Sequence, residues 1–331
     1  MLIAVNYHYL RPPDGSRAAA AIHPTTPAEL ARQIDLLARC GTFVSAPDVV
    51  DALDGRRPLP PRALLLTFDD GLAEQFEHGW PLLVRLGVPA VFFVNTAPLV
   101  DGRLAGVHRI HFLRAHCGPD VLRSAVRSAT PQCGPQEPAA MRARAIAHYR
   151  YDDPDTAELK YLLNFGIDPG ERDRRLAALF AEAVGRDEAE VAADLYMNWD
   201  MLRALAAAGC LGCHTHSHLP LGRQPPAVVD EEIAGSMELL TAGTGVRPAG
   251  ISYPYGSKDA CGPVVAAAAA RAGCRFGFTM ERAGNSDLRR PLLLARIDHN
   301  DAPGGKAARW PADELFDAID ASRWWGEEAA A

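Results

Sequence analysis

The chain has 331 residues, 48% apolar and 23% charged, enough to bury a full core in one large domain or two ordinary ones. Its formal net charge of −7 argues against nucleic acid or an anionic membrane as a partner, and no charge-free apolar run is long enough to predict a transmembrane segment. Seven cysteines, an odd number behind an opening MLIAVNYHYL that lacks a basic export signal, predict free thiols and a cytoplasmic location.

Taken from the N-terminus, 2–7 reads as a first buried strand. A helix is expected over 26–40, with Pro27 near its start and Gly41 after its end. Two further strands follow at 63–68 and 90–95. From about 101 to 196 no strand pattern occurs, whereas helical periodicity runs through 107–116, 138–148, 156–165 and 171–184. A block of that length between strands predicts a helical insertion over one end of a sheet. Strand and helix then alternate again: a helix over 200–208 closed by Gly209, a helix over 226–240, and strands at 249–253, 275–279 and 292–297. The residues 327–331 read as a frayed tail. The alternation predicts a parallel sheet covered on both faces, as a barrel or a doubly wound sheet. The expected organisation is one domain over 1–331, interrupted at about 101–196.

Two stretches carry chemistry. In Leu64–Gly71 a hydrophobic strand runs straight into Asp69, Asp70 and Gly71. In α/β folds the carboxyl ends of strands converge on the active site. Two adjacent carboxylates repel, so keeping both ionised calls for a cation or a shared proton. The second stretch, CLGCHTHSH over 210–218, supports three readings. Its first five residues fit covalent haem attachment, which the missing export signal disfavours. Its cysteines and histidines fit a zinc knuckle, which would leave the aspartate pair without a cation. Without the cysteines it offers His214/His216 or His214/His218 as a metal pair, and local geometry leaves both open. An aspartate with two histidines is a ligand set suited to activating water on a divalent metal: zinc first, with cobalt, nickel or manganese as alternatives.

Thr67-Phe68-Asp69-Asp70-Gly71 followed by His214-Thr215-His216-Ser217-His218 resembles the first two motifs of the polysaccharide deacetylases (NodB-like, carbohydrate esterase family 4). The likeness extends to Asn198–Gly209, the opening Tyr7-His8 and the 27–53 segment. It implies an α/β fold, a distorted parallel (β/α)7-type barrel with a helical insertion, and a divalent-metal N-deacylase. Carried over residue by residue, it implies Asp70, His214 and His218 as metal ligands and Asp69 as general base; His216 falls on a variable position. The third motif corresponds to Ser252-Tyr253-Pro254-Tyr255-Gly256, with serine where the family has arginine. Tyr255 would bind the oxyanion through its backbone N–H. Arg296 is the candidate to replace the missing arginine, and His299 the candidate general acid.

The remaining histidines and aromatics have weaker claims. His8 is placed to line the pocket without binding metal. His108 and His111, at helical spacing, form a candidate second metal pair, although a structural or substrate-contact role suits them better. Tyr149–Pro154 offers sugar stacking or an ordinary capping loop. The expected substrate is an N-acylated amino sugar, acetyl or formyl, nucleotide- or lipid-linked, in surface polysaccharide (O-antigen or lipopolysaccharide) biosynthesis. The alternatives are hydrolysis of a non-sugar amide and a non-catalytic glycan-binding descendant.

Overall fold

The strands Leu2–Tyr7 (β1) and Ala63–Phe68 (β3) are apolar at nearly every position, and each of their residues is buried, as in strands covered on both faces. A computed structural model of the chain describes residues 1–11, 24–129 and 138–325; the expected tail over 327–331 lies outside them. The other strands are Thr42–Phe43 (β2), Ala90–Val94 (β4), Leu211–Cys213 (β5), Gly250–Ser252 (β6), Phe276–Phe278 (β7) and Arg296–Asp298 (β8). All pairings between them are parallel. Seven run in the order β7-β6-β5-β4-β3-β1-β8, and β2 pairs with β3 off this path. Leu294, just before β8, bridges back to Phe278 of β7, so the sheet curls into a nearly closed barrel. The expected distorted (β/α)7-type barrel is what forms.

Between strands run Pro27–Cys40 (α1), Ala46–Leu53 (α2), Trp80–Leu86 (α3), Ala97–Val100 (α4), Trp199–Ala207 (α11), Pro226–Thr244 (α12), Pro263–Arg271 (α13) and Leu315–Ala318 (α14). Helix α1 begins on a capping box: Thr26 accepts from the Glu29 N–H, and the Glu29 carboxylate accepts from the Thr26 N–H. Its buried face, Leu30, Ile34 and Leu37, recurs at helical spacing. The last strand starts later than its apolar sequence suggests. Residues Pro291–Leu293 form a tight 3-10 turn, and pairing resumes only around Leu294 and Arg296.

The chain divides into two compact units, the barrel just described and the residues Asp101–Asp194. In the second the described elements are all helical: Gly106–His116 (α5), Pro119–Val126 (α6), Pro138–His148 (α7), Pro154–Tyr161 (α8), Pro169–Val184 (α9) and Glu188–Leu195 (α10), which runs one residue past the boundary. Arg109 of α5 joins it to α9 and α10 through Asp173 (2.9 Å) and Glu188 (2.6 Å).

Candidate active site

Strand β3 ends at Phe68 and delivers Asp69 and Asp70 into a tight turn. Gly71 has a left-handed backbone (φ 66°), and a Cβ there would come within 2.8 Å of Val94, so glycine is required. Asp70 is also left-handed, with φ 79°, a conformation that costs free energy in a residue with a Cβ. A single π-helical turn, Gln75–Gly79, follows. Its Gln75 amide donates to the main-chain oxygens of Asp69 (2.5 Å) and His8 (2.8 Å), tying the ends of β3 and β1 together.

Asp69 is buried and held from three strands. Arg296, itself fully buried, donates from Nη1 to Oδ1 at 2.8 Å and from Nη2 to Oδ2 at 2.6 Å. Asn6 Nδ2 and Ser252 Oγ each donate to Oδ2 at 3.1 Å. The pair is locked in turn: Arg296 also donates to Asn6 Oδ1 (3.0 Å), Thr67 Oγ1 (3.2 Å) and Ser252 Oγ (2.9 Å). Burial alone would push the Asp69 carboxyl up, but the Arg296 charge, with His214 and His8, overcomes this and holds it below the usual carboxylate range. Asp69 is therefore an anion at neutral pH. His8 Nε2 lies 4.0 Å from Asp69 Oδ2 and 3.5 Å from Asn6 Nδ2, on a partly exposed ring.

The histidine stretch leaves the barrel at Cys213. The His214 N–H donates to Val94 O (2.9 Å), the Ala97 N–H donates to His216 O (3.0 Å), and the Asn95 side chain donates to His214 O. Thr215 and His218 are left-handed, φ 67° and 58°. His214 Nδ1 lies 2.7 Å from Ser252 O; because a carbonyl can only accept, Nδ1 carries a proton, and Nε2 is the nitrogen that faces Asp70. His214 Nε2 and His218 Nε2 lie 3.4 and 3.3 Å from the same oxygen, Asp70 Oδ1. Burial would lower the His214 pKa, yet the Asp69 and Asp70 carboxylates hold it above the ordinary imidazole value.

Asp70, His214 and His218 are all buried, and their ligand atoms lie within 4.8 Å of one another. Two imidazoles and one carboxylate, three protein ligands, match the donor chemistry of a catalytic zinc-type site that keeps a position open. The residues present fit a divalent cation. His216 is not one of the three: its Nδ1 pairs with Thr96 Oγ1 at 2.8 Å. The cysteines have a packing role. Cys210 and Cys213 belong to the core, and burial pushes the Cys213 thiol up to about 11.

Tyr255, in the turn after β6, is left-handed (φ 61°), and its ring packs on His218 with centroids 4.8 Å apart. His299 lies after β8, yet its Nε2 pairs with Thr25 Oγ1 (2.7 Å) and its ring stacks on Tyr7. Burial lowers its pKa against the opposing charge of Asp298, which favours a neutral ring. His108 and His111 lie in the second unit, on α5 with ring centroids 6.2 Å apart. Tyr149, in the same unit, receives a hydrogen bond from Asn164 and carries Lys160 over its ring. Asn6 and Gln75 were not singled out by sequence reasoning. Asn6 had one signal: it is a polar residue inside the apolar run of β1.

Residues 179–277 match the family model described as polysaccharide deacetylase, a span that includes the histidine stretch. No curated protein matches the chain in sequence. Among solved structures, the chain is similar to the Streptococcus pyogenes deacetylase PplD in complex with acetate (14% identity, TM-score 0.57, covering 96% of this chain and 98% of that one). It is also similar to a de-N-acetylase from Aggregatibacter actinomycetemcomitans (16%, TM-score 0.54, 92% and 97%) and to IcaB from Ammonifex degensii (20%, TM-score 0.51, 89% and 90%). At these identities the structural likeness carries the fold, a NodB-type barrel. The likeness to the polysaccharide deacetylases thus rests, in sequence, on residues 179–277, while the likeness of fold extends over 96% of the chain.

Proposed function

We propose that the protein is a metal-dependent N-deacylase acting on an N-acetylated amino sugar. The observation that carries this is the split between neighbouring carboxylates: Asp69 is held as an anion by Arg296, while Asp70 faces two imidazole nitrogens. Asp70, His214 and His218 would hold the cation, whose chemistry there is Lewis-acid activation of a water and polarisation of the acyl oxygen.

The protein's own groups carry the proton movements. Asp69 accepts the proton of the attacking water through the carboxylate edge not taken up by Arg296. Arg296, Asn6 and Ser252 fix that carboxylate and keep it ionised. The Tyr255 N–H donates to the oxyanion of the tetrahedral intermediate. For the proton that the departing amine needs, the imidazole beside Asp69 is His8, whereas His299 is engaged with Thr25. We therefore assign that role to His8 in place of His299. The names of the structural relatives, a deacetylase with acetate and a de-N-acetylase, support acetyl over formyl.

The test is to load the protein with Zn2+, supply N-acetylated and N-formylated amino sugars, free, oligomeric and nucleotide-linked, and measure acetate, formate and free amine. Acetate release that disappears in Asp69→Asn is expected. Release that persists in Asp69→Asn, or a panel without any turnover, would contradict the assignment.

A further inference from the structure

Loop 214–218 contains two left-handed non-glycine residues, Thr215 and His218, and such backbone persists only where the surroundings over-determine it. Some of its anchors come from Val94–Ala97, as described above. Another comes from helix α12. The buried stripe of α12 is Val229, Ile233, Met237 and Leu240, and two polar residues, Glu232 and Ser236, are set into it. Glutamate is among the residues least often buried, so its place on an apolar helix face needs a reason. One oxygen, Glu232 Oε2, accepts from the N–H of His216 at 3.1 Å and from the N–H of Ser217 at 2.8 Å. One turn further along, Ser236 Oγ accepts from Cys213 Sγ at 3.3 Å. Both polar residues of this face thus serve the single stretch Cys213–Ser217.

The two N–H groups held by Glu232 are the two that immediately precede His218. Fixing them sets the direction from which the His218 ring meets Asp70. We infer that Glu232 is a positioning residue for the cation site, acting as a hydrogen-bond acceptor that fixes the 214–218 loop. The inference rests on Asp70, His214 and His218 being the ligands. Because a single oxygen accepts both bonds, a neutral amide oxygen in the same place can do the same work.

The experiment measures Zn2+ affinity of the full chain by titration calorimetry for wild type, Glu232→Ala, Glu232→Gln and His218→Ala, with thermal melting of each protein free of metal. Wild type binds Zn2+ and His218→Ala loses it. Glu232→Ala weakens binding by about 10- to 100-fold, the usual effect of losing a group that orients a ligand. Glu232→Gln stays close to wild type. Wild-type affinity in Glu232→Ala, or equal loss in Glu232→Gln, overturns the positioning role. Failure of wild type to bind Zn2+ overturns the ligand assignment beneath it instead. Should Glu232→Ala not fold, Glu232→Asp, one methylene short of the loop, takes its place against Glu232→Gln with the same two outcomes.

Discussion

Arg296 and Arg109 are both buried guanidinium groups paired to carboxylates, yet they occur in different settings. Arg296 sits among barrel strands, bidentate on Asp69. Arg109 sits in the helical unit, joined to Asp173 and Glu188, beside a cavity of about 570 Å³ lined by further charged residues such as Arg103 and Asp187. Charge and a buried guanidinium are therefore present at both, and the cavity lies beside Arg109. The backbone separates them. Among the described residues the left-handed non-glycine positions are Asp70, Thr215, His218 and Tyr255, and all four lie around Asp69. Strain of that kind persists where geometry is held for a purpose, whereas the Arg109 cluster ties three helices together with relaxed backbone. A buried ion pair by itself is weak evidence of either stability or function.

Substitutions separate the two regions. The largest effect is expected from Asp69→Asn, which should reduce turnover by about 10²- to 10⁴-fold or more while leaving bound metal unchanged, as read by amine release and metal content. Next come the arginines. Arg296→Ala strands the buried Asp69 carboxylate and should destabilise the fold by about 3–5 kcal/mol in chemical denaturation, whereas Arg109→Ala leaves the half-buried Asp173 still paired with Arg172 and should cost less. Only Arg296→Ala should also lower kcat per folded molecule; an equal loss in Arg109→Ala would erase the distinction. His8→Ala should cost about 10²-fold in kcat, with His299→Ala affecting mainly stability.

The smallest effect concerns pH. Burial would raise the Asp173 carboxyl, but Arg172, Arg109 and Arg103 hold it below its ordinary value. A carboxyl whose folded pKa is depressed contributes stability above its unfolded pKa, about 3.9, and loses it as pH falls through the folded value. Asp173→Asn should therefore be less stable than wild type at neutral pH, and the gap should narrow below about pH 4. A gap that is constant with pH would rule out the ionised pair as its source.

Much of this was legible because the chemistry-bearing residues are adjacent in sequence. Asp69 and Asp70 follow an unbroken apolar run, and His214 and His218 follow a helix-ending glycine, so strand ends and ligand types were readable together. The bounds of β1 and β3 were readable for the same reason. What could not be read was neighbour order. Arg296 reaches Asp69 because β8 lies beside β1 and β1 beside β3, which also places Asn6 between them. The residue was a sequence candidate for the place of the family's Asp-orienting arginine, but the contact itself follows from that order. The same topology brings His8, at the end of β1, to the Asp69 carboxylate, and turns His299 toward Thr25 and Tyr7. Glu232 was hidden differently. It is a charged residue in an otherwise ordinary amphipathic helix, and its acceptor role depends on a loop that precedes the helix by some ten residues.

As proposed, Asp70, His214 and His218 form one cation site next to an ionised Asp69. The most direct measurement is anomalous diffraction at the zinc edge from crystals of the protein soaked in Zn2+. One strong peak is expected, bonded to Asp70 Oδ1 and to the Nε2 atoms of His214 and His218, with Asp69 close by but bonded to Arg296. A peak ligated by His216 in place of His218, or no peak at this site, would contradict it.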